Sequence, residues 1–254
     1  MNTYTTIQYA EIFHLLFLDQ LGRKVDKRFY ALKGGCNLRF YLKSFRYSED
    51  IDLDVEALPK DKLQTTVESI LKSKPFQQIL ETRGIRIDRW SAPKQTETTQ
   101  RWKIGLVVAG INIPLHTKIE FSRRGKKTNT LFEAIDPEII RTYQLSPIMA
   151  NHYHAHAAYE QKVEALISRS TTQARDIFDL SLLLNSGVDS RLENATLKSR
   201  LGEAQSNMMA INFGAFKSQV LSFLHPDYQA QYDSPDIWDD MILKVGEALS
   251  KEAT

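Results

Sequence analysis

The chain has 254 residues, of which 42% are hydrophobic and 25% charged, and its formal net charge at pH 7 is +2. This is the composition of a globular protein with length for one large domain or two modest ones, and the small net charge does not indicate a nucleic-acid binder. No apolar run approaches the roughly 20 residues of a membrane span, and no signal peptide is evident. The single cysteine, Cys36, excludes an internal disulfide. We therefore expect a cytoplasmic protein that does not associate with membranes.

Helix and strand patterns alternate in the first part of the chain. The segment IQYAEIFHLLFLDQLG has apolar residues at helical spacing, and the short apolar segment RFYALK favours a buried strand. Gly34 and Gly35 interrupt that segment, and a helical pattern resumes over 36–45. The segment DIDLDV alternates acidic and apolar residues, which indicates a strand, and another amphipathic helix is predicted after it.

An antiparallel meander is predicted next, followed by a wholly helical region. GIRIDRW alternates, and RWKIGLVV and INIPLHTKIEF flank Ala109–Gly110, which has the chemistry of a hairpin turn. From about Ala155 onward only helical periodicity is present. We therefore expect an α/β domain over 1–150 and a helical domain over 151–254, joined somewhere within 131–154.

The acidic strand and the glycine pair carry the clearest chemical signal. Asp50 and Asp52 are two residues apart and so point to one side of the strand, while Ile51 and Leu53 point to the other. Adjacent carboxylates repel each other and require a cation, and their oxygens suit Mg²⁺, which also accepts phosphate ligands. The order strand, Gly-Gly, helix places backbone N–H groups beside the turn, where an anion can bind. Together these features indicate a site for a nucleoside triphosphate.

Simpler interpretations compete with that site. The acids could lie on a solvated strand edge, and the glycine pair could form an ordinary turn. An EF-hand loop starting at Asp50 is excluded, because its sixth residue should be Gly and is Val55, and its twelfth should be Glu and is Asp61. The chain also lacks the G-x-x-x-x-G-K-[ST] motif of P-loop proteins and the G-x-S-x-G motif of hydrolases.

The segment ALKGGCNLRFYLKSFRYSEDIDL resembles the nucleotidyltransferase superfamily, and in particular the AbiEii/AbiGii toxin family. Members of that family typically read hhKGGTxLxxxxxxxRxSxDhDh, where h is hydrophobic. The residues in register are Lys33, Gly34, Gly35, Leu38, Arg46, Ser48, Asp50 and Asp52. Cys36 departs from the usual Thr or Ser, and a thiol is a poorer hydrogen-bond partner. The resemblance implies an α+β fold, with a nucleotidyltransferase-type mixed sheet and flanking helices followed by a C-terminal helical bundle.

Two later segments also resemble the family. HTKIEF places Lys118 and Glu120 on one side of a strand, and its likeness to the family's hKhE/D element implies that Glu120 is a third carboxylate. EQKVEALISRSTTQARDIFDLSLLL resembles the pattern EKhxAL…RDhxDhxxL, which implies that Lys162 reaches the triphosphate and that Asp176 lies at the rim of the active site. The alternatives are a cross-strand Lys–Glu pair and a salt-bridge network between helices, and we prefer the network for Asp179.

The resemblance implies a Mg²⁺-dependent nucleotidyltransferase that moves a nucleoside monophosphate from an NTP to an acceptor hydroxyl, with tRNA the acceptor in relatives. The expected catalytic residues are Asp50, Asp52, Glu120 and Asp176, of which the first three would bind two Mg²⁺ ions. The expected phosphate-binding residues are Lys33, Gly34, Gly35, Arg46, Ser48, Lys118 and Lys162. The resemblance also implies the toxin of a bacterial toxin–antitoxin or phage-defence pair, with a separate antitoxin protein.

Other functions stay open at this point. A catalytically inactive relative could bind nucleotide or RNA through the basic segment SRRGKK, which is also compatible with an ordinary solvated loop. A nucleotidyltransferase that modifies a small molecule is a third possibility. His152 and His156 would share a helix face and could bind zinc, but no cysteine or carboxylate completes a convincing ligand set.

Overall fold

The computed structural model describes residues 4–123 and 129–253, and this part of the chain divides into two compact units. The first, the sheet unit, contains the chain up to Lys43 and the range Tyr47–Tyr153. The second, the helical unit, contains Ser44–Arg46 and the chain from His154 onward. The short segment Ser44–Arg46 therefore belongs to the helical unit, although the chain on both sides of it belongs to the sheet unit.

A seven-stranded mixed sheet forms the centre of the sheet unit, with the strand order β3-β4-β5-β2-β1-β7-β6. The strands are β1 (Tyr30–Lys33), β2 (Ile51–Val55), β3 (Ile85–Gln95), β4 (Thr99–Val108), β5 (Ile111–Ser122), β6 (Thr130–Ala134) and β7 (Met149–Tyr153). β1 is antiparallel to β2 and parallel to β7, and β2 is parallel to β5. β3, β4 and β5 form the predicted antiparallel meander, with the β4–β5 turn at Ala109–Gly110.

One face of the sheet is apolar and the other carries charged side chains. Ile51 and Leu53 of β2, with Ile119 and Phe121 of β5, are fully buried in the core of the sheet unit. Each such side chain contributes roughly 1.5–3 kcal/mol by leaving water. Because strand side chains alternate, this burial fixes the intervening acidic residues on the opposite face.

Five helices and one 3₁₀ turn complete the sheet unit. They are α1 (Thr6–Lys24), the 3₁₀ turn Lys27–Phe29, α2 (Gly34–Tyr41), α3 (Lys60–Leu71), α4 (Lys74–Glu81) and α5 (Pro137–Thr142). α1 is buried along most of its length, with Phe13 and Phe17 fully buried. A capping box between Thr5 and Gln8 fixes its first turn.

The helical unit has short helices packed around aromatic side chains. The helices are α6 (Ala155–Ser168), α7 (Ala174–Asn185), α8 (Ala195–Lys198), α9 (Leu201–Met209), α10 (Phe213–Gln219), α11 (Pro226–Tyr232) and α12 (Pro235–Ala253), with a 3₁₀ turn at Leu221–Phe223. Phe216 stacks on Trp238 and contacts Phe178, whose ring also meets Phe45 edge-on. Phe45 therefore ties the inserted segment into this core. No helix of the described ranges is both long and apolar enough to cross a membrane.

The predicted α+β class is confirmed, and one local prediction is wrong. The helix expected over 36–45 ends at Tyr41, because Lys43 adopts a left-handed φ of +59° and turns the chain. The region 131–154, in which the two parts were expected to join, contains most of β6, all of α5 and all of β7, and the two units divide after Tyr153.

Candidate active site

Four charged residues lie close together on the polar face of the sheet, beside the start of α2. In the strand register, Lys33 of β1 lies opposite Asp52 of β2, and Asp52 lies opposite Glu120 of β5. Asp50 immediately precedes β2 and points to the same side as Asp52. Because paired strands lie about 4.8 Å apart, the three carboxylates that the sequence grouped together are neighbours.

Gly34, the first residue of α2, lets the backbone come close to Asp52. Its φ is +66°, a left-handed conformation that glycine adopts without strain. A Cβ atom built on Gly34 would lie 3.0 Å from Asp52 Oδ2, which is tighter than nine in ten Cβ contacts in proteins. The N–H groups of the first turn of α2 have no partner within the helix, so an anion-binding helix start lies beside the carboxylates.

The Asp52 carboxylate has no protein partner in the described ranges. It neither accepts a hydrogen bond nor forms an ion pair there, although its side chain is half-buried. Burial raises the pKa of Asp52, Asp50 and Glu120 raise it further, and Lys33 and Lys118 offset part of the increase. A carboxylate in these surroundings is stabilised in its charged form by an additional cation.

The other two carboxylates each contact a basic side chain. Lys118 Nζ lies 2.8 Å from Asp50 Oδ2, and Arg101 Nε donates a hydrogen bond to Glu120 Oε2 at 2.6 Å. Within the described residues, no three acidic, histidine or cysteine side chains already converge as a metal cage. The donor chemistry nevertheless fits Mg²⁺, because all the donors are carboxylate oxygens and Asp52 is unpartnered. Asp50, Asp52 and Glu120 are therefore the residues that could hold such an ion.

Two side chains hold the main chain at Asp50. Ser48 Oγ donates to the Asp50 carbonyl oxygen at 2.8 Å, and Cys36 Sγ donates to the same oxygen at 3.2 Å. Burial raises the pKa of the Cys36 thiol well above its ordinary value, so the thiol stays protonated and acts as a hydrogen-bond donor. The cysteine thus makes a contact that a hydroxyl could also make. Ser48 is expected from its motif to bind phosphate, and in the structure its hydroxyl supports this carbonyl.

A buried histidine braces the chain just before Asp50. His14 Nε2 lies 2.6 Å from Thr117 Oγ1, and the Thr117 hydroxyl donates to the carbonyl oxygen of Glu49. Since Thr117 uses its own proton for Glu49, His14 must supply the proton between them. Burial lowers the pKa of His14 to about 3, so its ring is neutral at physiological pH. Sequence reasoning missed this residue because the contact joins α1 to β5, which are far apart in the chain.

Lys33 pairs with an acid that sequence reasoning did not select. Its Nζ lies 2.5 Å from Asp54 Oδ1, and Tyr153 donates to the other Asp54 oxygen at 2.8 Å. Asp54 is buried and lies two residues beyond Asp52 on the same side of β2. The alternating pattern of DIDLDV already contained Asp54 as its third acid. Its cross-strand partner could not be identified from sequence.

The helical unit holds the remaining predicted site residues in a buried ion-pair network. Arg46 contacts Asp179 through two hydrogen bonds of 3.0 and 2.9 Å, and Lys162 Nζ lies 2.6 Å from Asp179 and 2.9 Å from Asp176. Arg169 lies 3.0 Å from the second oxygen of Asp176. Burial alone would raise the pKa of Asp179, but Arg46 and Lys162 outweigh it and lower the pKa. Asp179 therefore lies in a salt-bridge network, which is the interpretation that we preferred for it.

The histidines near residue 152 do not share a helix face, so that prediction is wrong. His152 lies in β7 of the sheet unit, where its ring stacks on Tyr41 and Nδ1 is 3.0 Å from Asn37 Oδ1. His156 lies in α6 of the helical unit and contacts the Arg191 carbonyl oxygen. The basic segment SRRGKK falls mostly within 124–128, outside the described residues.

Comparison with solved structures identifies the fold as one found in nucleotidyltransferase toxins. MenT4, a nucleotidyltransferase toxin from Mycobacterium tuberculosis, superposes with a TM-score of 0.64 at 14% identity, covering 96% of this chain and 84% of that one. JHP933 from Helicobacter pylori superposes with a TM-score of 0.63 at 18% identity, covering 98% and 93%. A search of curated proteins found no match.

Sequence comparison then assigns the family. Residues 16–244 match the family described as nucleotidyl transferase AbiEii toxin, type IV toxin–antitoxin system, and the chain therefore belongs to it. The chain is a nucleotidyltransferase, and the resemblance first seen in its glycine and aspartate motifs is confirmed. Family membership also indicates an NTP substrate, a divalent metal ion and an antitoxin partner.

Proposed function

We propose that this nucleotidyltransferase depends on Mg²⁺ and transfers a nucleoside monophosphate from an NTP to a hydroxyl of RNA, with tRNA as the first candidate. The observation that supports it most is the close approach of Gly34 to Asp52, with Glu120 next to Asp52 in the sheet. The start of α2, whose backbone N–H groups could bind an anion, therefore lies beside the carboxylate cluster. A nucleotide triphosphate carrying a divalent cation has both of the charges that such a site would bind.

The acids would act as a group at the reacting phosphate. Asp50, Asp52 and Glu120 would hold up to two Mg²⁺ ions, which supply positive charge to the attacking and leaving oxygens. The acceptor oxygen forms a bond to the α-phosphorus, the bond from that phosphorus to the bridging oxygen breaks, and pyrophosphate leaves. We assign Glu120 to receive the acceptor proton, because Arg101 already orients its carboxylate at 2.6 Å.

The residues around the carboxylates would hold the triphosphate. Backbone N–H groups at Gly34 and Gly35, at the start of α2, would donate to phosphate oxygens. Lys33 and Lys118 border the acids and would balance the negative charge of the phosphates. Ser48 would keep the Asp50 main chain in position and remains our candidate for an additional phosphate contact.

Arg46, Lys162 and Asp176 carry roles that the family motif implies, and we retain those roles as proposals. In the helical unit each has at least one oppositely charged partner within 3.0 Å, so each also has a structural role. The two roles make different predictions for variants. A purely structural residue changes stability and leaves the KM for NTP unchanged in the folded fraction, whereas a phosphate-binding residue raises that KM.

The first experiment identifies the acceptor. Purified protein is incubated with each α-labelled NTP, Mg²⁺ and total bacterial RNA, and labelled products are separated into RNA and small molecules. We expect label in RNA, removed by ribonuclease and by omission of Mg²⁺. Asp52→Asn should abolish labelling, while Glu68→Gln should not, because Glu68 of α3 pairs with Lys72 at the opposite side of the sheet. Undiminished labelling by Asp52→Asn would refute the site.

The same experiment separates the competing functions. A catalytically inactive binding protein would bind nucleotide or RNA without releasing pyrophosphate. A small-molecule nucleotidyltransferase would release pyrophosphate and label a low-molecular-weight product in the absence of RNA. The carboxylate cluster of Asp50, Asp52 and Glu120 favours catalysis, because adjacent acids destabilise a fold that does not use them.

We further propose that the chain acts in the cytoplasm as the toxin of a phage-defence pair, since RNA and NTPs are available there. Expression of the wild-type chain should slow bacterial growth, and co-expression of its antitoxin should restore growth. Asp52→Asn should produce no growth defect at equal protein level. Equal toxicity of this variant would contradict a toxic effect that arises from nucleotidyl transfer.

A further inference from the structure

The polar face of the sheet continues beyond Glu120 as a positively charged surface, which we call the cationic sheet face. Its members lie on β3, β4 and β5: Arg86, Arg89, Lys94, Arg101, Lys103 and Lys118. The strand register fixes their common side, since Glu120 pairs with Arg101 and Arg101 pairs with Lys94. One row further along, Lys118 pairs with Lys103. The cations therefore begin at the carboxylate cluster and extend to the β3 edge.

Three cations of this face have no partner in the described ranges. The side chains of Arg89, Lys94 and Lys103 form no ion pair and no hydrogen bond there, whereas Arg101 contacts Glu120 and Lys118 contacts Asp50. The remaining member, Arg86, lies 3.9 Å from Asp88 at an irregularity in β3, so its positive charge is partly neutralised. The excess positive charge is concentrated on the part of the face beyond Arg101.

Part of the positive charge on this face is not compensated within the described part of the fold, which points to a ligand. Lys103 lies directly opposite Lys118, and Arg101 lies directly opposite Lys94. Like charges in directly opposed positions destabilise a sheet. Trp102 and Ile104, which alternate with the cations of β4, are fully buried, so the strand cannot relieve the repulsion by turning over. An anion lying across the face would convert the repulsion into attraction.

We infer that the cationic sheet face binds the phosphate backbone of the RNA acceptor and directs its reactive hydroxyl toward Asp52 and Glu120. The inference rests on the proposed function for RNA as the acceptor. With strands about 4.8 Å apart and residues about 3.3 Å apart, the face between Arg89 and Lys94 covers roughly 17 Å by 10 Å. Within β3 to β5, which the structure describes completely, the two tryptophans and Phe121 lie on the opposite side. His116, opposite Gly105, is the aromatic residue of these strands on the cationic side, and the face therefore binds mainly through charge.

The test compares two triple variants with the same loss of charge. The first replaces Arg89, Lys94 and Lys103 with Gln. The control replaces three exposed lysines on the opposite side of the sheet with Gln: Lys62, Lys72 and Lys74. Binding of a fluorescently labelled random-sequence RNA is measured by anisotropy between 50 and 300 mM salt, and the KM for NTP is measured in the labelling reaction.

The first variant should weaken RNA binding about 50-fold at 0.15 M salt and reduce the slope of log Kd against log salt by about 2. Its KM for NTP and its rate at saturating RNA should stay within twofold of wild type, and the control should match wild type throughout. Equal RNA affinity in the two triple variants would overturn the inference, as would absence of RNA binding by the wild type. The two claims can also be told apart. If only a small molecule is labelled while the first variant alone loses RNA affinity, the cationic sheet face does bind RNA, but RNA is not the acceptor.

Discussion

Gly34→Ala tests the contact between α2 and Asp52. Gly34 has a φ of +66°, and an L-residue in that region costs about 1–2 kcal/mol. The new Cβ would also lie 3.0 Å from Asp52 Oδ2, so the carboxylate or the start of α2 must move. The shift needed is a few tenths of an ångström, whereas a displacement of about 1 Å in a catalytic group lowers activity by about 100-fold. We therefore expect a modest loss of stability and a loss of nucleotidyl transfer of about 3- to 10-fold.

Gly187→Ala is the matched control for this substitution. Gly187 has a φ of +85° and has nothing within 4 Å of the added Cβ, so it carries the backbone strain without the contact. Both variants should lower the melting temperature by about 2–8 °C, but only Gly34→Ala should lose label transfer when activity is normalised to folded protein. Equal activity of the two variants would show that the approach of Gly34 to Asp52 has no catalytic importance.

Three further predictions follow from buried ionisable groups. Burial and two neighbouring carboxylates raise the pKa of Asp52, so its charge opposes folding above its ordinary pKa. Without divalent cation, Asp52→Asn should therefore raise the free energy of unfolding at pH 7, and this gain should vanish near pH 3.8. A loss of stability at pH 7 would contradict the proposed repulsion between Asp52 and its neighbouring carboxylates. Burial lowers the pKa of His14 from 6.5 to about 3. The contribution of neutral His14 to the free energy of unfolding is therefore complete above pH 6.5, and it falls by about 1.4 kcal/mol per pH unit below that pH. Urea unfolding of His14→Gln should show a shallower pH slope between pH 6.5 and 4 than the wild type, and an unchanged slope would disagree. Asp179→Asn leaves Arg46 without its buried partner and should cost about 3–5 kcal/mol, while Asp189→Asn at an exposed pair should change stability by less than 1 kcal/mol.

The sequence alone predicts the part of the site whose residues lie close together in the chain. Alternation in DIDLDV placed Asp50 and Asp52 on one side of a strand, and the glycine pair marked the start of the adjacent helix. Both signals depend on residues close together in the chain, where side-chain direction follows from secondary structure alone. Glu120 was found through its motif, and its position beside Asp52 depends on a parallel pairing that no local pattern specifies.

The contacts that sequence analysis missed join distant parts of the chain. Lys33 with Asp54, and His14 with Thr117, depend on strand register and on the placement of α1. The cationic sheet face was missed for the same reason, since its basic residues are separated by hydrophobic ones in sequence and become a surface only when three strands pair. Net charge gave no indication of it, because acidic residues elsewhere in the chain offset these cations.

The position of the transferred label tests the central claim most directly. Parallel reactions contain NTP labelled at the α- or the γ-phosphate, with Mg²⁺, total RNA, and either wild-type protein or Asp52→Asn shown to be folded. We predict that only the α-label enters RNA, that the γ-label leaves as pyrophosphate, and that the variant transfers neither. Entry of the γ-label into RNA, or α-label transfer by the variant at the wild-type rate, would contradict nucleotidyl transfer at the carboxylate cluster.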